Sequence, residues 1–132
     1  MRGCFVASRR ARVGLGALAL LIVSGNALAQ ARAVAVDGDS LLVDGRRVRI
    51  MGLDAPEMRG RCPREQQLAR MARDRMAELI AGGVRIQPHG NDRYGRLLAV
   101  VYDARGRDVA AVLIREGLAR PYGGRGRREG WC

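Results

Sequence analysis

The chain has 132 residues, with 24 basic and 13 acidic side chains and a single His, and every basic residue is Arg. That length suits one domain and excludes a multidomain machine. With only 4% aromatic residues the core must come from Val, Leu, Ile, Met and Ala, and a net charge of +11 calls for a polyanionic partner, either nucleic acid or an anionic membrane surface.

Taken in chain order, residues 1–12 carry four Arg and no acid, and Val13 to Val23 is an unbroken run of apolar residues and Gly. Ala27-Leu28-Ala29 follows with small residues. This is the pattern of a secretory signal peptide over 1–29, cleaved near Ala29, and the run is well short of the roughly 20 residues a membrane span needs. The expected product is exported to a periplasm or the medium, monomeric and without stable membrane association. Losing the four leader arginines leaves it a net charge of +7 and two cysteines, Cys62 and Cys132. An even pair in an exported protein reads as a disulfide.

Arg32 to Val36 suits a strand, and Asp37-Gly38 is a turn or bulge signal. Ser40–Val43 and Arg46–Met51 flank Asp44-Gly45, a strong hairpin signal. In the second run Val48 and Ile50 fall on one face and Arg47 and Arg49 on the other. Pro56 ends the extended stretch. Pro63 to Ala81 predicts the one long helix, with Leu68, Met71, Ala72, Met76, Leu79 and Ile80 forming its apolar face and Gly82-Gly83 stopping it. Val84–Gln87 and Arg96–Tyr102 are further strands, and Asp108 caps a short helix running through Arg115 to a stop at Gly117. Five short strands with a helix between the third and fourth predict a small β-barrel with helices, a five-stranded OB-fold over 30–122. Residues 123–132 form a tail rich in Gly and Arg.

Three loops carry chemistry. Asp37-Gly38-Asp39-Ser40 reads as a cation loop or as a strand-entry turn, and its spacing fails the EF-hand pattern. Asp54-Ala55-Pro56-Glu57 sets two carboxylates at a strand end, and Asp92-Arg93-Tyr94-Gly95-Arg96 is a charged turn. Carboxylate oxygens suit a hard cation, and arginines such as Arg49 and Arg96 suit a phosphodiester. No Ser-His-Asp set, zinc spacing, Walker loop or dinucleotide fingerprint is present, and His89 reads as a surface residue.

The ordered set VDGDS, VRIMGLDAPE, NDRYGRLLAVVY and REGLARPY closely resembles the staphylococcal nuclease family, over roughly Arg32 to Tyr122. The resemblance implies an OB-fold and a Ca²⁺-dependent phosphodiesterase that cuts single-stranded DNA and RNA and leaves 3′-phosphates. By position it implies that Asp39, Asp54 and the Ala55 carbonyl hold the metal, and that Arg49 and Arg96 bind the phosphate. Glu57 would orient or deprotonate the attacking water. Arg93 and Tyr94 would hold a neighbouring phosphate, with Tyr122 near the nucleotide. Ser40 and Ala55 stand where Thr is common, and the segment Met58–Cys62 is short. A different class of protein, an OB-fold module that binds nucleic acid without cutting it, would have lost these acids or arginines first. The tail arginines Arg125, Arg127 and Arg128 are expected to add salt-dependent affinity only.

Overall fold

The structure, a computed structural model, describes residues 30–132, so the predicted leader lies outside the described residues. The elements are β1 (Ala33–Ala35), β2 (Ser40–Val43), β3 (Arg46–Ile50), β4 (Gly52–Asp54), α1 (Pro63–Ile80), β5 (Val84–Asn91), β6 (Leu97–Asp103), α2 (Val109–Arg115) and β7 (Arg120–Tyr122).

Alternation of apolar and charged residues sets the first hairpin. Leu41, Val43, Val48 and Ile50 are buried, and β2 pairs antiparallel with β3 in the register Ser40↔Arg49 to Val43↔Arg46. Both turn residues, Asp44 and Gly45, are left-handed at φ 48° and 79°, the backbone of a tight hairpin that matches strand twist. The main sheet runs β1-β2-β3-β6-β5, with β3 and β6 parallel and the other pairs antiparallel. A parallel pair needs a long crossover, and α1 is part of it.

The sheet is mixed and OB-like, but it does not close into the expected barrel. Its two edges meet only through a single bridge between Ala31 and Val84. β1 is three residues long, too short for a continuous seam against β5. A second, two-stranded sheet pairs β4 with β7, and the sequence pattern marks neither as a separate element. Three residues close to Pro56, or three centred on Pro121, make too short a run to read.

Helix α1 buries Ala69, Ala72, Met76, Leu79 and Ile80 against the sheet. Met71, expected on that face, is instead 49% exposed, because Ala69 rather than Leu68 and Met71 occupies the inward position of that turn. Helix α2 is capped as expected: the Asp108 carboxylate accepts the Ala110 N–H at 2.9 Å. The strand after α1 runs on to Asn91 through Pro88, which a strand at the sheet edge tolerates.

Candidate metal and phosphate site

The site forms where the turn before β2 meets the end of β4. The Asp39 N–H donates to the Asp37 carboxylate at 3.0 Å, which folds the turn. Gly38 lets that turn lie against the rest of the protein. A Cβ there would stand 2.7 Å from the Ala55 Cβ and 2.8 Å from the Ala72 Cβ. Asp39 is thereby carried into contact with the 54–57 segment. Its Oδ1 accepts the Ser40 hydroxyl at 3.0 Å, and its Oδ2 accepts the Ala55 N–H at 3.4 Å.

Arg49, at the end of β3, reaches the same carboxylate. Its Nη2 lies 3.2 Å from Asp39 Oδ2 and donates to the Leu53 carbonyl at 3.1 Å. Its Nη1 donates to the carbonyls of Ile50 at 2.8 Å and Asp39 at 3.3 Å. The guanidinium thus locks the β3–β4 bend as well as Asp39. Burial pushes the Asp39 carboxyl up to about 6, against the opposing pull of Arg49.

Asp54 is buried at the end of β4, and Glu57 is exposed. One guanidinium links them: Arg128 Nη1 lies 2.9 Å from Asp54 Oδ1 and 3.3 Å from Glu57 Oε1. The Trp131 indole N–H donates to Asp54 Oδ2 at 3.3 Å. Pairing of β4 with β7 holds this arrangement, since Arg120 lies opposite Asp54 in the register. The Arg120 guanidinium stacks 3.8 Å from the centre of the Trp131 ring and donates to the Gly130 carbonyl at 2.9 Å. The expected Cys62–Cys132 disulfide is present, with Cα atoms 6.0 Å apart, and ties the tail to the start of α1. An open groove of about 910 Å³ runs between Asp54, Glu57, Arg59 and Arg61 on one side and residues 127–132 on the other.

Glu65 shapes the loop that carries Glu57. This buried carboxylate accepts the N–H of Glu57 at 3.4 Å and of Arg61 at 2.8 Å. A Cβ on Gly60 would collide with it, so the loop can wrap the carboxylate only with Gly there.

The β5–β6 turn holds the remaining candidates. Asp92 Oδ1 accepts the N–H groups of Tyr94 and Arg96, both at 2.9 Å, and Oδ2 accepts Arg96 Nε at 2.7 Å. Burial raises the Asp92 carboxyl, but those bonds from Arg96 and Tyr94 outweigh it and hold it below its ordinary value. Arg93 and Arg96 flank the exposed Tyr94 ring at 4.9 and 5.6 Å. In the sheet Arg49 neighbours Leu98, so Arg96 stands two residues along from that point. Among the described residues no hydrogen bond or ion pair joins Arg93, Tyr94 or Arg96 to Asp39, Asp54 or Glu57. Tyr122 lies in β7 opposite Gly52, and its hydroxyl donates to the Gly126 carbonyl at 3.2 Å.

The structure therefore brings Asp39, Arg49 and the Asp54–Ala55 step together, adds Glu57 through Arg128, and among the described residues joins the β5–β6 turn to them by no hydrogen bond or ion pair. Sequence reasoning missed Glu65, Arg128 and Trp131. Arg128, expected to add salt-dependent affinity only, makes direct contacts with two site carboxylates. The tail has no periodicity to place it, and only the cysteine pairing pointed to where it lies. The donors fit a hard divalent cation: they are carboxylate oxygens, and a guanidinium held between Asp54 and Glu57 shows that this pair already attracts positive charge. Cys62, Glu65 and Cys132 also approach within 4.8 Å of one another, but both sulfurs are spent in the disulfide.

Comparison with known proteins adds independent information. The family model described as "Staphylococcal nuclease homologue" matches residues 47–129. An "Uncharacterized endonuclease" of Escherichia coli O157:H7 is 36% identical over 92 residues, covering 66% of this chain and 56% of that protein. A "Micrococcal nuclease" of Shigella flexneri is 34% identical over 124 residues, covering 82% of this chain and 68% of that protein. A "Succinoglycan biosynthesis protein ExoI" of Rhizobium meliloti is 33% identical over 94 residues, 67% of this chain and 49% of that protein. The chain spans little more than half the length of the first of these relatives.

Proposed function

The chain belongs to the staphylococcal nuclease homologue family, and from that membership we propose that it is an exported, Ca²⁺-dependent nuclease. Its substrates are single-stranded DNA and RNA, and hydrolysis leaves 3′-phosphates. The observation that carries the reading is that buried Asp39 bonds the Ala55 N–H, next to buried Asp54, beside Arg49 and the Glu57 loop. The names of the relatives, endonuclease and micrococcal nuclease, support the same reaction class.

In this proposal Asp39, Asp54 and the Ala55 carbonyl hold the cation. When bound, a hard divalent cation supplies positive charge beside a non-bridging phosphate oxygen. Glu57 accepts a proton from water, or orients it, as the water oxygen forms a bond to phosphorus. The bond from phosphorus to the 5′ oxygen breaks, that oxygen takes a proton from solvent and leaves as the 5′-hydroxyl, and the phosphate stays on the 3′ side. Arg96, and Arg49 on exchanging its Nη2 contact with Asp39 for a phosphate oxygen, offset the negative charge that grows on the five-coordinate phosphorus. Arg93 and Tyr94 hold the next phosphate along the strand, and Tyr122 borders the nucleotide. The net positive charge steers the polyanion to the site.

The test is cleavage of single-stranded DNA with Ca²⁺ or with a chelator. Cleavage with Ca²⁺, abolished by chelation and leaving 3′-phosphate ends, is expected. Undiminished cleavage in chelator would overturn the metal assignment. Salt-dependent binding without cleavage under any metal would instead identify a binding module.

A further inference from the structure

We propose that the segment Arg127–Cys132 is a tethered competitor for the cation site, with the Arg128 guanidinium occupying the charge position that a divalent cation takes between Asp54 and Glu57. This rests on the metal reading above and deepens it to the regulation of the same site.

Contacts of Arg128, Gly130, Trp131 and Cys132 place the segment. Arg128 Nη1 bridges Asp54 Oδ1 and Glu57 Oε1 at 2.9 and 3.3 Å, and Trp131 Nε1 takes Asp54 Oδ2 at 3.3 Å. Both oxygens of Asp54 are therefore committed to the tail. Arg120, fixed in β7 opposite Asp54, clamps Trp131 from the other side by stacking at 3.8 Å and by its bond to the Gly130 carbonyl. The disulfide to Cys62 anchors the end of the segment beside the Glu57 loop.

The chemistry of exchange follows. A guanidinium is a monovalent, planar donor, and it satisfies carboxylate lone pairs without the short contacts a hard cation makes. Two carboxylates at one place attract either. Because a tail donor already sits on each Asp54 oxygen, with Arg128 placing its positive charge there, a cation at Asp54 competes with tail docking for that position. A contact that must break before a ligand binds lowers the apparent affinity by the fraction of molecules in the open state. The disulfide raises the local concentration of Arg128 at the site, so the competitor cannot diffuse away. The 50% exposure of the Arg128 side chain keeps the contact weak enough to be displaced.

The experiment measures Ca²⁺ binding without substrate, by calorimetry and by Trp131 emission, in the wild-type protein and in Arg128→Ala and Arg128→Met. The chain has one Trp in all, so the emission reports this segment alone. We expect Ca²⁺ to move the wild-type emission to longer wavelength as the indole leaves Asp54. We expect both variants to bind Ca²⁺ about tenfold more tightly, the scale of removing one charge-assisted hydrogen bond from the competing state. Variant affinities equal to or weaker than wild type would overturn the competitor while leaving the metal site standing. No Ca²⁺ binding in any of the three proteins would overturn the metal reading, and the competitor with it.

Discussion

Gly38→Ala tests whether the turn before β2 sets the position of Asp39. The added methyl would sit 2.7 Å from the Ala55 Cβ and 2.8 Å from the Ala72 Cβ. Carbon atoms in contact prefer about 3.5–4.0 Å, so each overlap is close to 1 Å. Neither neighbour can swing aside: both are methyls fixed directly to the backbone, and Ala55 and Ala72 are 3% and 0% exposed. The strain must be taken by moving the turn or the helix, and overpacking of this kind costs about 1–3 kcal/mol. For a domain near 100 residues that lowers Tm by about 4–8 °C per kcal/mol. Asp39 is the next residue, so the turn that retreats carries its carboxylate away from the Ala55 N–H. The assay is thermal unfolding by circular dichroism together with a Ca²⁺ titration. A lower Tm and weakened Ca²⁺ binding are expected. An unchanged Tm, or a lowered Tm with wild-type Ca²⁺ affinity, would refute the argument that this close approach positions Asp39.

Glu57→Gln and Arg96→Ala should each lower kcat on single-stranded DNA by about 10²–10³-fold while leaving binding nearly intact, since each group acts on the transition state; a loss confined to KM would reassign them to binding. Replacing Cys62 and Cys132 by Ser should lower stability by up to about 4 kcal/mol in the chain-entropy view, given the separation of 70 residues; an unchanged denaturant midpoint would show that the bridge constrains little. Asp103 is buried, and burial raises its carboxyl, but bonds from the N–H groups of Arg107 and Arg105 and from the Arg107 side chain hold it below its ordinary value of 3.8. A lowered folded value means that its stabilisation is full above 3.8 and is lost as pH falls below it toward the folded value, so Asp103→Asn should flatten the Tm profile on the acid side of 3.8; a profile parallel to wild type would refute this.

What could be read from sequence was what repeats or punctuates. The hairpin, both helices and the parallel partner strand carry alternation, caps or Asp-Gly signals, and they lie where the pattern put them. β4 and β7 carry neither, because three residues do not make a period. Spacing alone misplaces Met71: it cannot tell Ala69 from its larger neighbours, and the helix turns the smaller side chain inward. At the candidate site, short local motifs and the family resemblance single out Asp39, Asp54 and Glu57. Their neighbours Glu65, Arg128 and Trp131 come from the first turn of α1 and from an aperiodic tail, and no local motif marks them.

The arrangement of arginines explains how two buried carboxylates persist at this place before any cation arrives. An uncompensated buried charge is costly, and removing a partner leaves that cost exposed. Asp39 is offset by Arg49, which is itself fixed by the carbonyls of Ile50 and Leu53 in the β3–β4 bend and by the Asp39 carbonyl. Asp54 is offset by Arg128, which comes from outside both sheets, on the segment that follows β7. The two pairs therefore differ in kind. The inner arginine is held by the backbone carbonyls of Ile50 and Leu53 as well as by Asp39, whereas the outer one, half-exposed on the tail, is the contact proposed above to give way to a cation. With no arginine beside it, burial would push Asp39 further toward protonation, since even with Arg49 opposing it burial raises that carboxyl to about 6.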